Sequence, residues 1–240
     1  MDHSFEETSS RAMPEANLHE QILNHPGMRY YRMLLSYNQS KNILAGNSFE
    51  LQVLATKLES GELRGGRDYH EWRVLLRDLD NHLVRYLHNF LTSVMTLVEH
   101  TRTAMRSPII AAEHRNRYQK KIGETFKPAP VARFMQDFRN YVLHYGVPQT
   151  VHETRFKPEV NTKVYIQSAP LLEWGNWHPV ARQYIQDHPS HIRLLDVVRE
   201  YEKLVIDFHT WFVQDFAAQY SKELNGLTAL QKKWNEGLIP

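Results

Sequence analysis

A guanidinium, a carboxamide and an imidazole lie close together along one stretch of this chain. They are Arg139, Asn140 and His144, in the run Asp137-Phe138-Arg139-Asn140-Tyr141-Val142-Leu143-His144-Tyr145-Gly146. Arginine presents a rigid fork of N–H donors that fits phosphate oxygens. Histidine accepts and returns a proton near neutral pH. Together they suit cleavage of a phosphodiester, the guanidinium gripping phosphate oxygens while the imidazole shuttles a proton. That chemistry requires no metal and no cofactor.

A helix must position them. Val131, Phe134, Phe138, Tyr141 and Tyr145 recur at steps of three and four, which predicts a buried stripe. Asn140 and His144, one turn apart, fall on the face away from it. At ~100° per residue, Arg139 lies roughly 80° from the middle of the stripe and about 140° from His144, and its length lets it fold toward either neighbour. Pro130 opens this helix, and Gly146 and Pro148 close it, bounding it at Pro130 to Tyr145. His144 sits in the last turn, where the negative end of the backbone dipole suits a cationic proton donor. Other Arg and His pairs at similar spacing are Arg64 with His70, Arg77 with His82 and Arg182 with His188. None combines an adjacent Asn, an opposing apolar stripe and a helix stop.

The segment resembles the HEPN superfamily (higher eukaryotes and prokaryotes nucleotide-binding), whose hallmark is an Arg, four to six residues and then a His, often with a polar residue directly after the Arg. Arg139, Asn140 and His144 match that pattern. The resemblance implies an all-α bundle with the motif late in a helix, paired with its copy across a homodimer. It implies a metal-independent endoribonuclease of a toxin, antiphage or RNA-processing system, in which the 2′-hydroxyl attacks the neighbouring phosphorus. It equally covers members that have lost catalysis and only bind. Single-stranded or loop RNA, whose bases are exposed to stacking and edge contacts, is the expected target. A regulatory or antitoxin protein is a further expected partner.

Substrate contacts are expected from Tyr145 and from a basic strip. Between His100 and Lys121, Arg102, Arg106, Arg115, Arg117, Lys120 and Lys121 stand against a single acid, Glu113. Such a strip can follow a nucleic-acid backbone with salt-sensitive affinity. The loop Glu173-Trp174-Gly175-Asn176-Trp177 is expected to seal the bundle end with aromatic plugs rather than offer a stacking platform. Two readings of other classes stand beside the nuclease: an interaction module whose long helices bind a partner protein, and a small-ligand sensor with the Trp174 and Trp177 loop as its lid.

The remaining residues predict an all-α helical bundle with two long helices and a small β-ribbon insertion. Between Gly66 and Gly123 the only breaker is Pro108, and between Pro189 and Gly226 there is none. Trp72, Leu76, Leu79, Leu83, Leu87, Phe90, Val94 and Leu97 trace one apolar stripe along a helix from Tyr69 to Arg106. Leu194, Val197, Val198, Tyr201, Leu204, Val205, Phe208, Phe212 and Phe216 trace another from His191 to Leu224. Shorter helices are expected at Met28–Ala45, Ser48–Glu59 and Ile109–Thr125. From 147 to 177 the alternation of Thr150, His152 and Thr154, then of Lys163, Tyr165 and Gln167 with Val164 and Ile166, reads as a two-stranded ribbon. Residues 1–27 are expected to be a flexible N-terminal segment, and 28–240 a single helical domain.

Composition narrows the classes. The 240 residues carry 29 Lys+Arg against 27 Asp+Glu, and 5 Trp, 12 Tyr and 10 Phe supply ample buriable surface, so a folded core is expected. Without cysteine there is no disulfide, thiolate nucleophile or thiolate zinc site. The 14 histidines lack ligand spacing: His82, His88 and His100 do not share one helix face, and Pro189 separates His188 from His191. Gly61 to Gly66 is followed by Arg67 rather than Lys-Ser/Thr, so it is a turn and not a phosphate-binding loop. No run approaches the ~20 apolar residues of a membrane span. The polar, acidic start lacks the order of a secretory signal, and a cytoplasmic protein is expected.

Overall fold

The computed structural model describes residues 17–155 and 161–238. Residues 1–16 of the expected flexible segment, and the tip of the ribbon at 156–160, lie outside the described residues. What is described is mostly helical with one small antiparallel sheet, and it falls into two compact units, residues 39–209 and residues 17–38 with 210–238. Among the described residues no helix is long and apolar enough to cross a membrane.

Two helices belong in part to each unit. The chain begins with α1 (17–24) and α2 (Gly27–Glu59), and α2 enters the larger unit at residue 39. Two helices broken near Gly46 were expected, yet α2 runs through. Leu44, Ser48, Leu51, Ala55 and Leu58 are buried at steps of three and four on either side of the glycine. A glycine inside a helix costs ~1 kcal/mol relative to alanine, less than surrendering that shared buried face.

Helix α3 (Tyr69–Arg106) has the predicted bounds. Asp68 caps it, accepting from the Glu71 N–H at 2.9 Å while the Glu71 carboxylate accepts from the Asp68 N–H at 3.1 Å. It ends at Ser107, the residue before Pro108, where a proline disfavours helical geometry. Trp72, Leu83, Leu87, Phe90, Val94 and Leu97 are buried, but Leu76 and Leu79 are only half-buried. The first turns therefore hold the core through Trp72 and otherwise face outward. Helices α4 (Ala112–Phe126) and α5 (Pro130–His144) follow, and α5 packs against both α3 and α4.

The ribbon gains a third strand. β1 (Thr150–Arg155) pairs antiparallel with β2 (Asn161–Gln167), in a register that sets Thr150 opposite Ile166 and His152 opposite Val164. α6 (Ser168–Leu172) and α7 (Pro179–Gln186) come next, and α7 lies on α5. β3 (His191–Arg193) then pairs with β2, with Ile192 opposite Ile166, both buried. The last long helix, expected from His191, accordingly starts three residues later as α8 (Leu194–Gln219). The ladder to β2 claims the backbone of these residues. Arg193 is held there by Glu59, at 2.7 and 3.2 Å, and by Asp196 at 3.1 Å.

The smaller unit joins α1, the start of α2, the end of α8 and α9 (Ser221–Leu238). The long helix expected to reach Leu224 breaks at Tyr220, and residues 17–24, expected within the flexible segment, are helical. Ile22, Met28 and Leu227 form the core here, with Leu18, Leu230 and Trp234 packed against it. Tyr30 stacks on Tyr220 at 4.0 Å, and Tyr37 leans on Phe212 at 4.6 Å. A Cβ at Gly27 would lie 2.2 Å from the Glu223 carbonyl oxygen, so only glycine allows α2 to begin against α9.

Candidate active site

α5 closes with a doubled bond: the N–H groups of Tyr145 and Gly146 both donate to the Tyr141 carbonyl, at 2.9 and 3.1 Å. The stripe facing inward is Val131, Phe134, Met135, Phe138 and Tyr141. Tyr145, expected on that stripe, is instead 53% exposed, because the helix ends at His144 and the following residue no longer follows its periodicity. The exposed ring still leans on Tyr141 at 5.2 Å and on Trp174 at 6.3 Å.

The outward edge of α5 carries the three predicted residues. Arg139 and Asn140 are half-buried and His144 is exposed. The structure brings the first two together: Arg139 Nη1 donates to Asn140 Oδ1 at 3.0 Å. Arg139 Nε is buried with no hydrogen-bond partner. His144 makes no hydrogen bond to either among the described residues, although its position one turn beyond Asn140 leaves their Cβ atoms roughly 5–6 Å apart. The result is a guanidinium held by a carboxamide, with donors left over, and an imidazole open to solvent one turn away.

Behind this edge lies a column of rings. Phe134 stacks on Phe138 at 5.2 Å, on Trp177 at 5.9 Å and on Tyr184 at 4.9 Å, while Tyr141 stacks on Trp177 at 5.8 Å. Trp177 is buried, and its indole N–H donates to the Leu171 carbonyl at 2.6 Å, so it is a plug, as expected. Trp174, perpendicular to it at 4.9 Å, is half-buried and forms the rim beside Tyr145. Burial pushes the Tyr141 hydroxyl up from its ordinary value, with Tyr145 and Glu173 adding to the shift.

Sequence reasoning missed Asp137. Its carboxylate is buried and accepts from the His178 backbone N–H at 2.7 Å, and it pairs with Arg133 at 3.1 Å. His178 is the N-cap of α7, so Asp137 fastens the start of α7 to the inner side of α5. An acid one step from Phe138 within an apolar stripe was the available signal. Asp80 was missed too. It accepts from the Thr150 hydroxyl and from His152 Nε2 at 3.1 Å, and so ties β1, which starts just beyond the end of α5, to α3. The His152 bond above all holds the Asp80 carboxyl below its ordinary value.

The basic strip is spread over two helices. Arg102 pairs with Glu99 at 2.6 Å, Arg115 donates to the Ser107 carbonyl at 3.4 Å, and Lys120 meets Glu124 at 3.8 Å. Arg106 is exposed, and Arg117 and Lys121 are half-buried. Arg102 and Arg106 act on Tyr118, whose hydroxyl burial pushes up to about 12. Among the described residues no group of three or more His, Cys, Asp or Glu is placed to hold a metal ion.

Chemically, the α5 edge can offer N–H donors to an anion through Arg139 and exchange a proton through His144. The column of rings and the Asp137 bond keep that edge in place. No family model, no curated protein and no solved structure matches this chain.

Proposed function

We propose that the protein is a metal-independent endoribonuclease of a toxin or antiphage-defence type, acting in the cytoplasm as a homodimer on single-stranded or loop RNA. The observation that carries this reading is the pairing of Arg139 with Asn140 at 3.0 Å beside an exposed His144 on the edge of α5. Arg139 donates to the non-bridging oxygens as negative charge grows on phosphorus. His144 takes the proton of the attacking 2′-hydroxyl or gives one to the departing 5′-oxygen. Asn140 fixes the plane of the guanidinium. Tyr145, exposed next to His144, offers a ring to an unstacked base. Arg102, Arg106, Arg115, Arg117, Lys120 and Lys121 contribute attraction to the backbone, and their partners Glu99 and Glu124 moderate it.

The test is cleavage of a mixed RNA pool in chelator, followed by analysis of product ends. Attack by the 2′-hydroxyl leaves a 2′,3′-cyclic phosphate and a 5′-hydroxyl, and an oligonucleotide with 2′-deoxyribose at the cut site resists. Loss of cleavage on chelation, or equal cleavage of the deoxy substrate, refutes the mechanism.

A second reading, a non-catalytic module for a partner protein, is supported by Ile43 and Phe49 on α2, the latter 68% exposed. It predicts that Phe49→Ser weakens a partner complex while Arg139→Ala and His144→Ala leave it intact.

A further inference from the structure

The first turns of α3 form a basic shelf that the chemistry of Arg139 and His144 does not use. His70, Arg73, Val74 and Arg77 line a half-open surface depression of about 470 Å³. Their spacing of three, four and seven puts them in one column, rising roughly 10 Å along the helix. All four are exposed.

The cations in this column lack counter-ions. Among the described residues His70 and Arg77 make no hydrogen bond or ion pair, and the one contact of Arg73 is its guanidinium over the Tyr69 ring at 5.8 Å. The nearby carboxylates are engaged elsewhere. Asp68 and Glu71 hold each other's backbone N–H in the helix cap, at 2.9 and 3.1 Å. Asp80, one turn beyond Arg77, accepts from Thr150 and His152. Asp78 points about 100° round the helix from Arg77. Two like charges one turn apart repel, and among the described residues no carboxylate forms an ion pair with either arginine.

We propose that this shelf binds a ligand through two adjacent phosphates. The forks of Arg73 and Arg77 stand ~6 Å apart along the axis, a span wider than a single phosphate presents. Each fork takes phosphate oxygens in the two-pronged geometry that guanidinium favours, and His70 reaches the terminal group. Val74 and Tyr69, both exposed, give apolar surface to the organic part that carries the phosphates. None of these residues belongs to α5.

Isothermal titration of the full chain with pyrophosphate at low salt tests it. The wild type is expected to show saturable binding at the shelf whose affinity falls as salt rises. Arg73→Gln and Arg77→Gln each weaken it by about tenfold or more, and the double variant removes it. The thermal midpoint of these variants stays unchanged. Titrations with ADP and with 5′-diphosphorylated against 5′-hydroxyl RNA identify the source of the phosphates: tighter binding of either phosphorylated ligand, lost in the double variant, supports the site. No saturable binding at millimolar pyrophosphate, or affinity in the double variant within twofold of wild type, overturns the proposal.

Discussion

Replacing Asp137 distinguishes a hydrogen bond from an ion pair at the point where α5 meets α7. The side chain is 4% exposed; one carboxylate oxygen accepts from the His178 N–H at 2.7 Å, and the other meets Arg133 at 3.1 Å. Asp137→Ala leaves that N–H without its acceptor. A hydrogen bond to a charged group is worth ~1.5–3 kcal/mol, and a buried donor left unpaired costs on that scale. The Arg133 side chain is 38% exposed, so its pairing adds under ~1 kcal/mol. Asp137→Ala is therefore expected to destabilise the larger unit by about 3 kcal/mol, which lowers the midpoint by roughly 6–12 °C in a chain of this size. Asp137→Asn keeps an oxygen for the His178 N–H and should cost about 1 kcal/mol, and Arg133→Met no more than that. Thermal unfolding followed by far-UV circular dichroism reads all three. Equal losses for Ala and Asn at Asp137, or a loss at Arg133→Met matching that of Asp137→Ala, would refute the assignment of the stabilising interaction to the backbone N–H.

Three further outcomes follow from the packing. Burial pushes His209 down from 6.5 to about 4, with Lys41 contributing, so the unfolded chain binds a proton that the native imidazole refuses; stability is complete above pH 6.5 and declines by up to about 3 kcal/mol as the pH falls toward 4. His209→Gln should flatten that decline in urea titrations across the window, and an unchanged slope contradicts the burial argument. Gly27→Ala places a Cβ 2.2 Å from the Glu223 carbonyl oxygen, and protease is expected to cut the smaller unit of this variant faster while the larger unit survives; wild-type resistance would contradict the close approach. Asp80→Asn should lose stability at neutral pH, and its deficit should shrink as the pH falls below 3.8, because the depressed carboxyl contributes only while ionised; a deficit constant across that range argues against the His152 bond as its cause.

Local signals were legible in the sequence and distant pairings were not. The span of α3 and the start of α5 follow from Gly66, Pro108 and Pro130, residues that act on the backbone beside them, while the Asp68 and Glu71 cap that fixes the first turn of α3 went unread. β3 escaped because His191–Arg193 is a strand only by virtue of β2, some twenty-five residues away. Gly46 read as a break, but the buried stripe on both sides decides the issue in favour of one helix. At the candidate site, the outward positions of Asn140 and His144 followed from periodicity, while the side to which Arg139 turns, and its contact with Asn140, required three-dimensional geometry. Asp137 and Asp80 take their roles from His178, Thr150 and His152, partners that no spacing rule connects to them.

The most direct test of the central claim is a double-variant cycle on the rate of RNA cleavage, with Arg139→Ala, His144→Ala and the pair together. If guanidinium and imidazole act on one phosphodiester, each single variant should lose ~10²–10³-fold, and the pair should lose little more than the worse single, because groups that serve the same step are not additive. Wild-type rates in either single variant, or losses that multiply in the pair, would contradict the account.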